Sequence, residues 1–117
     1  MTDKTLQMSL LFDFFGDLLT DKQREYFDLY HNEDLSLSEI ADNVGITRQG
    51  VRDIIVRAEA TLVDYEKRTG IIARFQQRNA DVDRAMEITA DINKSTVDDN
   101  IRKLTEELTV ILESLKG

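Results

Sequence analysis

Between Leu35 and Arg57 the chain reads LSLSEIADNVGITRQGVRDIIVR, and its small and apolar side chains fall where two short helices crossing about a tight turn need them. Ala41, Gly45, Val51 and Ile54 follow one another at intervals of four, six and three. Ala41 is small enough to let the helices approach, and Gly45 can take the positive φ that turns the chain. The spacing predicts a helix-turn-helix over about residues 36–58.

The composition supports a helical reading throughout. The 117 residues contain no proline, five glycines and many Leu, Ile, Asp and Glu, so the fold class is all-α, with one domain's length and a helical extension beside it. Leu6, Leu10 and Phe14, and then Leu11, Phe15 and Leu18, predict a first helix from about Asp3 to Leu19. Thr20 with Gln23 and Ser36 with Glu39 have the form of capping boxes. The first starts a second helix that ends near His31 and turns Tyr26, Phe27, Leu29 and Tyr30 inward. After a loop at Asn32–Leu35, the other starts a third helix over Leu37–Asn43, with Leu37, Ile40, Ala41 and Val44 inward. Thr47 caps a fourth, where Val51, Ile54, Ile55, Ala58, Leu62 and Tyr65 hold one face for about five turns.

Gly70 is the next breaker and divides the chain into a domain over residues 1–69 and an extension over residues 70–117, which packs on that domain or on a second subunit. Ile71, Phe75, Val82, Met86 and Ile92 predict a long fifth helix whose apolar pattern has gaps at Arg78 and Thr89. Ser95 or Thr96 caps a last helix, in which Val97, Ile101, Leu104, Leu108, Ile111 and Leu115 repeat at four, three, four, three and four. So narrow a seam predicts a single partner helix. One reading is an antiparallel hairpin of the last two helices folded back on the fourth; the other is a coiled-coil homodimer through residues 97–115.

Formal net charge is −8, but the charge is uneven. Residues 1–46 carry three basic and ten acidic side chains, residues 47–58 three and one, and residues 59–117 nine and twelve. Only the start of the fourth helix is positive. Helical periodicity sets Gln49, Asp53, Val56 and Ala60 opposite the core face, with Arg52 and Arg57 flanking them. In helix-turn-helix docking that segment enters the major groove, where Gln49 and Arg52 are the candidate base readers. Arg48 and Arg57 suit backbone phosphates, and Gly50 allows close approach. Thr47 can bond a phosphate or cap the helix, and the cap is the expected role. Asp53 would repel phosphates unless it accepts from a cytosine amino group or pairs with Arg57, and the intrahelical pair is expected. Lys67, Arg68, Arg74 and Arg78 run without an intervening acid and make a second candidate basic patch, with a charged solvent face as the expected reading.

The absence of cysteine removes disulfides, thiolate metal sites and a cysteine nucleophile, and the single His31 cannot supply a metal cluster, so no metal or cofactor is expected. There is no phosphate-cradling glycine loop and no serine in a nucleophile setting, and Asp98 and Asp99 read as helix N-terminal charges, so no enzyme is expected. The cysteine-free composition suits the cytoplasm. The apolar stretch Leu10–Leu19, interrupted by Asp13, Gly16 and Asp17, is neither a signal peptide nor a membrane span, and no membrane insertion is expected.

The run Leu19–Leu62, beginning LTDKQREYFDLY and continuing DLSLSEIADNVGITRQGVRDIIVRAEATL, resembles region four of bacterial sigma factors, which reads a promoter element through a helix-turn-helix. Here Gln49 and Asp53 occupy the recognition face where sigma factors carry more basic residues. Over nearly its full length, with LLFDFFGDLLTDKQREYFDLYHNEDLSLSEIA at the front and a long helical tail, the chain resembles the YlxM family of helix-turn-helix regulatory proteins. That resemblance implies a sigma-region-four-like unit with a helical C-terminal extension in a bacterial cytoplasmic protein, a regulator or accessory of the signal recognition particle pathway. The expected partners are DNA or signal recognition particle RNA. The alternative is an interaction module that docks on the signal recognition particle protein or its receptor, the acidic first half meeting basic patches of the partner.

Overall fold

Reciprocal caps start two of the helices where the sequence places them. Thr20 Oγ1 accepts from the Gln23 backbone N–H at 3.2 Å while the Gln23 side chain accepts from the Thr20 N–H at 3.1 Å, and Ser36 and Glu39 repeat the arrangement at 3.1 Å each way. In the computed structural model, which describes residues 3–117, the chain forms α1 (Asp3–Phe15), α2 (Asp21–Phe27), α3 (Leu37–Val44), α4 (Arg48–Thr69), α5 (Ile71–Ser95) and α6 (Asp99–Leu115), with no strand among the described residues. It divides into two compact units, Met1–Gly70 and Ile71–Gly117.

Two of the expected helices change pitch before they end. The first tightens into a 3₁₀ turn over Gly16–Leu18, so Leu18, like Leu6 at the other end, lies exposed, and the inward face is Met8, Leu11 and Phe15. The second widens into a π turn over Asp28–Asn32, closed by the Glu33 N–H donating to the Asp28 carbonyl at 3.0 Å. Tyr26 and Phe27 are buried and Leu29 is half-buried, but Tyr30, expected inward with them, is exposed because the π turn rotates it off that face.

The core of the first unit is built around residues with no accessible surface. Phe27, Ile40, Val51 and Leu62 are fully covered, and Phe27 stacks on Phe12 with ring centroids 4.9 Å apart. Val51, Ile55, Ala58 and Leu62 form the buried stripe of α4, with Ile54 and Tyr65 half-buried, as the periodicity predicts.

In the second unit α5 and α6 form an antiparallel hairpin. Asn93 Nδ2 donates to Thr105 Oγ1 at 2.7 Å, and Lys116 pairs with Asp83 at 2.6 Å, which fixes the register. The N-cap of α6 is Asp98, accepting from the N–H groups of Asn100 and Ile101 at 2.8 and 3.3 Å, not Ser95 or Thr96. Ser95 is the last residue of α5 with its hydroxyl donating to the Asp91 carbonyl, and Thr96 Oγ1 accepts from the Asp98 N–H rather than from the first turn of α6. The expected seam is not the hairpin contact. Thr105 is buried and Thr109 and Leu112 are half-buried, whereas Leu104 and Leu115 are 64% and 57% exposed and Val97, ahead of the helix, is 95% exposed. Buried threonine is tolerated because each hydroxyl bonds its own helix: Thr89 Oγ1 donates to the Ala85 carbonyl and Thr105 Oγ1 to that of Arg102.

Leu62→Ala removes a fully covered side chain from the first unit, and urea denaturation is expected to show a loss of about 2–5 kcal/mol with an unchanged m-value.

Candidate nucleic-acid interface

The turn between α3 and α4 is fixed by backbone chemistry. Gly45 adopts φ 76° and ψ 26° and its N–H donates to the Ala41 carbonyl at 2.9 Å, satisfying the end of α3. A Cβ there would meet nothing within 4 Å, so it is the positive φ that calls for glycine. Two residues on, Thr47 Oγ1 accepts from the Gly50 N–H at 3.0 Å and caps α4, the role expected of it. A Cβ on Gly50 would lie 3.2 Å from that oxygen, so the glycine keeps the first turn of α4 close to its cap.

Arg48, Gln49, Arg52, Asp53, Val56 and Arg57 are all exposed, and Gly50 is half-covered. The expected Asp53–Arg57 pair does not form. Gln49 Nε2 instead donates to Asp53 Oδ1 at 2.9 Å, one turn earlier on the same helix, and Arg57 has no ion pair with Asp53. Gln49 and Arg57 each lie one turn from Asp53, and an exposed ion pair gains little in water, so the charge on Arg57 does not decide the partner. The bond orients the Gln49 amide and takes up one of the two oxygens of the one acid on this face.

Arg52 has a second setting. With Lys4, Tyr30, Glu39 and Val56 it lines a groove of about 580 Å³ floored by His31 and Glu59. His31 Nε2 and Glu59 Oε2 are 2.9 Å apart, and their side chains are only 9% and 18% exposed. Since an ionised carboxylate can only accept, Nε2 is the donor. The π turn brings His31 to α4, against Phe27 at 4.4 Å between ring centroids. No local pattern announces a pair 28 residues apart.

The second candidate patch is divided between the two units. Lys67 and Arg68 end α4, where Arg68 Nε donates to Asp64 at 2.8 Å, an i,i+4 pair with the acid just ahead of the run. Arg74 and Arg78 lie one turn apart on α5 and line a shallow hollow with Ile71 and Phe75. Among the described residues no group of His, Cys, Asp and Glu could hold a metal ion, and no helix is long and apolar enough to cross a membrane.

A short helix, a left-handed glycine and a capped second helix with an exposed cationic start define a helix-turn-helix protein. A family described as "Putative helix-turn-helix protein, YlxM / p13 like" matches residues 2–89. Among relatives, a UPF0122 protein of Halalkalibacterium halodurans is 44% identical over 98% of this chain and 96% of its own. One of Thermoanaerobacter sp. is 41% identical over 98% of each, and one of Exiguobacterium sibiricum 46% identical over 74% of this chain and 81% of its own. The chain belongs to this UPF0122 family of helix-turn-helix proteins.

Glu59→Ala leaves the covered His31 N–H without its acceptor, and chemical denaturation is expected to show a loss of about 1–3 kcal/mol. A double-mutant cycle with His31→Ala should recover part of that loss as coupling.

Proposed function

We propose that the chain is a nucleic-acid-binding regulator that lays the first turns of α4 in the major groove of duplex DNA. Gln49 and Arg52 read base edges, Arg48 and Arg57 hold phosphates on the two flanks, and Thr47 and Gly50 lie at the point of closest approach. The observation that carries this reading is the exposed start of α4, with three arginines and one acid in residues 47–58 of a chain whose net charge is −8. Residues 1–69 are the binding domain and residues 70–117 its extension, and Lys67 with Arg68, or Arg74 with Arg78, adds phosphate contacts where the nucleic acid reaches them. The family resemblance directs the regulator to the signal recognition particle pathway, so the particle's RNA is the second nucleic acid to test. Val56, an exposed apolar side chain on the same face, supports the other reading, docking on the particle's protein or its receptor.

Fluorescence anisotropy with duplex DNA and with the particle's RNA, across low to moderate salt, separates these. Binding that weakens linearly in log salt is expected. Arg57→Ala should weaken it evenly across sequences and lower the salt slope by about one, and Arg52→Ala should relax sequence preference. No binding to either nucleic acid at low salt, with capture by the particle's protein alone, would replace this reading by the docking one.

Asp53→Asn removes the one negative charge from the outward face while keeping an oxygen for Gln49. Affinity for duplex DNA at low salt is expected to rise several-fold, with the gain shrinking as salt is added; an unchanged affinity would mean that no phosphate approaches this face.

A further inference from the structure

The hairpin of α5 and α6 buries the wrong face for a finished structure. Ile72 and Val82 are the buried apolar side chains of the second unit, and its other covered groups include Thr89 and Thr105. Its larger aliphatic residues lie outside: Ile88, Ile92, Leu104, Leu108 and Ile111 are each between 43% and 64% exposed.

These exposed residues follow one rule. On α6, Leu104, Leu108 and Ile111 each precede by one residue a member of the inward set Thr105, Thr109 and Leu112; on α5, Ile88 and Ile92 likewise precede Thr89 and Asn93. One residue is about 100° of helical turn. In an antiparallel pair the same rotation on both helices opens to the same side, and Ile92 and Ile101 do line one shallow hollow. These five residues therefore share one apolar face of the hairpin, roughly at right angles to its own interface, while Val110 lies exposed off that face. Each helix of a four-helix bundle needs that arrangement, one face for each of two neighbours.

We propose that this face is covered by a second copy of the chain, the two hairpins forming an antiparallel four-helix bundle about a two-fold axis level with Glu106. Three observations select a second copy. First, the intervals from Ile101 to Leu104, Leu108 and Ile111 are three, four and three, which read the same in both directions, so an antiparallel copy sets Ile101 against Ile111 and Leu104 against Leu108. Second, the Asn93–Thr105 bond puts Ile92 level with Glu106, so the same axis brings Ile92 against its own copy. Third, the copy brings its Lys103 within two residues of the level of Glu107, whereas a parallel pair would stand Glu107 against Glu107. A contiguous apolar strip rimmed by Lys103 and Glu107 is the kind of surface that marks an association site.

Sedimentation equilibrium of the full chain at tens of micromolar should give twice the monomer mass, and Leu104→Glu or Leu108→Glu should shift the dimer to monomer by at least tenfold in dissociation constant while far-ultraviolet circular dichroism is kept. A wild-type monomer across that range, as expected if another segment of the same chain covers the face, would overturn the proposal. So would a dimer indifferent to both substitutions. Orientation has its own readout, since the chain has no cysteine. The double variant Leu104→Cys with Leu108→Cys should cross-link more completely than either single variant, and full cross-linking of Leu104→Cys alone would mean a parallel pair. None of these outcomes depends on nucleic-acid binding.

Discussion

The close passage of α3 over α4 at Ala41 is the contact on which the first unit depends. Ala41 and Ile40 are buried against Val51 and Ile55, with Tyr26 closing the same cluster from α2. A longer side chain at Ala41 would push α3 away, since a packed interior has no room to absorb it. The geometry of the turn follows from that distance. Gly45 has to reverse the chain within three residues, and Thr47 has to start α4 at once, so the exposed arginines are held at a fixed angle to a rigid core.

Features whose physics is local were legible in the sequence. Both capping boxes, the left-handed glycine and the stripe from Val51 to Leu62 rest on residues within a turn or two of one another, where side-chain geometry leaves few options. The pitch changes at Gly16–Leu18 and Asp28–Asn32 were not legible, because Gly16 marks a weak point in a helix without saying which pitch follows, and nothing in Asp28–Asn32 marks a switch from the α pitch. His31–Glu59 is the plainest case. Neither residue has a local reason to be buried, and the pair exists only because the π turn meets the middle of α4.

The extension shows a different limit. A heptad run says that a helix needs a partner along that line, without saying that it has another partner elsewhere. On α6 the threonines and Leu112 that look polar or incidental in the pattern meet α5, and the leucines that look like the seam do not. The mismatch has a physical sense. Asn93–Thr105 gives the hairpin a directional contact that fixes register at modest burial, and leaves the larger aliphatic area outside the hairpin.

Charge decides how the proposed interface works at a distance. With ten acids against three bases in the first 46 residues, the long-range field of the chain opposes nucleic acid, and only within roughly a Debye length, about 8 Å at physiological salt, do the arginines of α4 dominate. A regulator built this way gains little from sliding on arbitrary duplex, which rests on long-range attraction. On the proposed binding mode, discrimination then falls to the short-range contacts of Gln49 and Arg52. The Gln49–Asp53 bond contributes here too, because an amide already oriented by its neighbour loses less freedom when it meets a base edge.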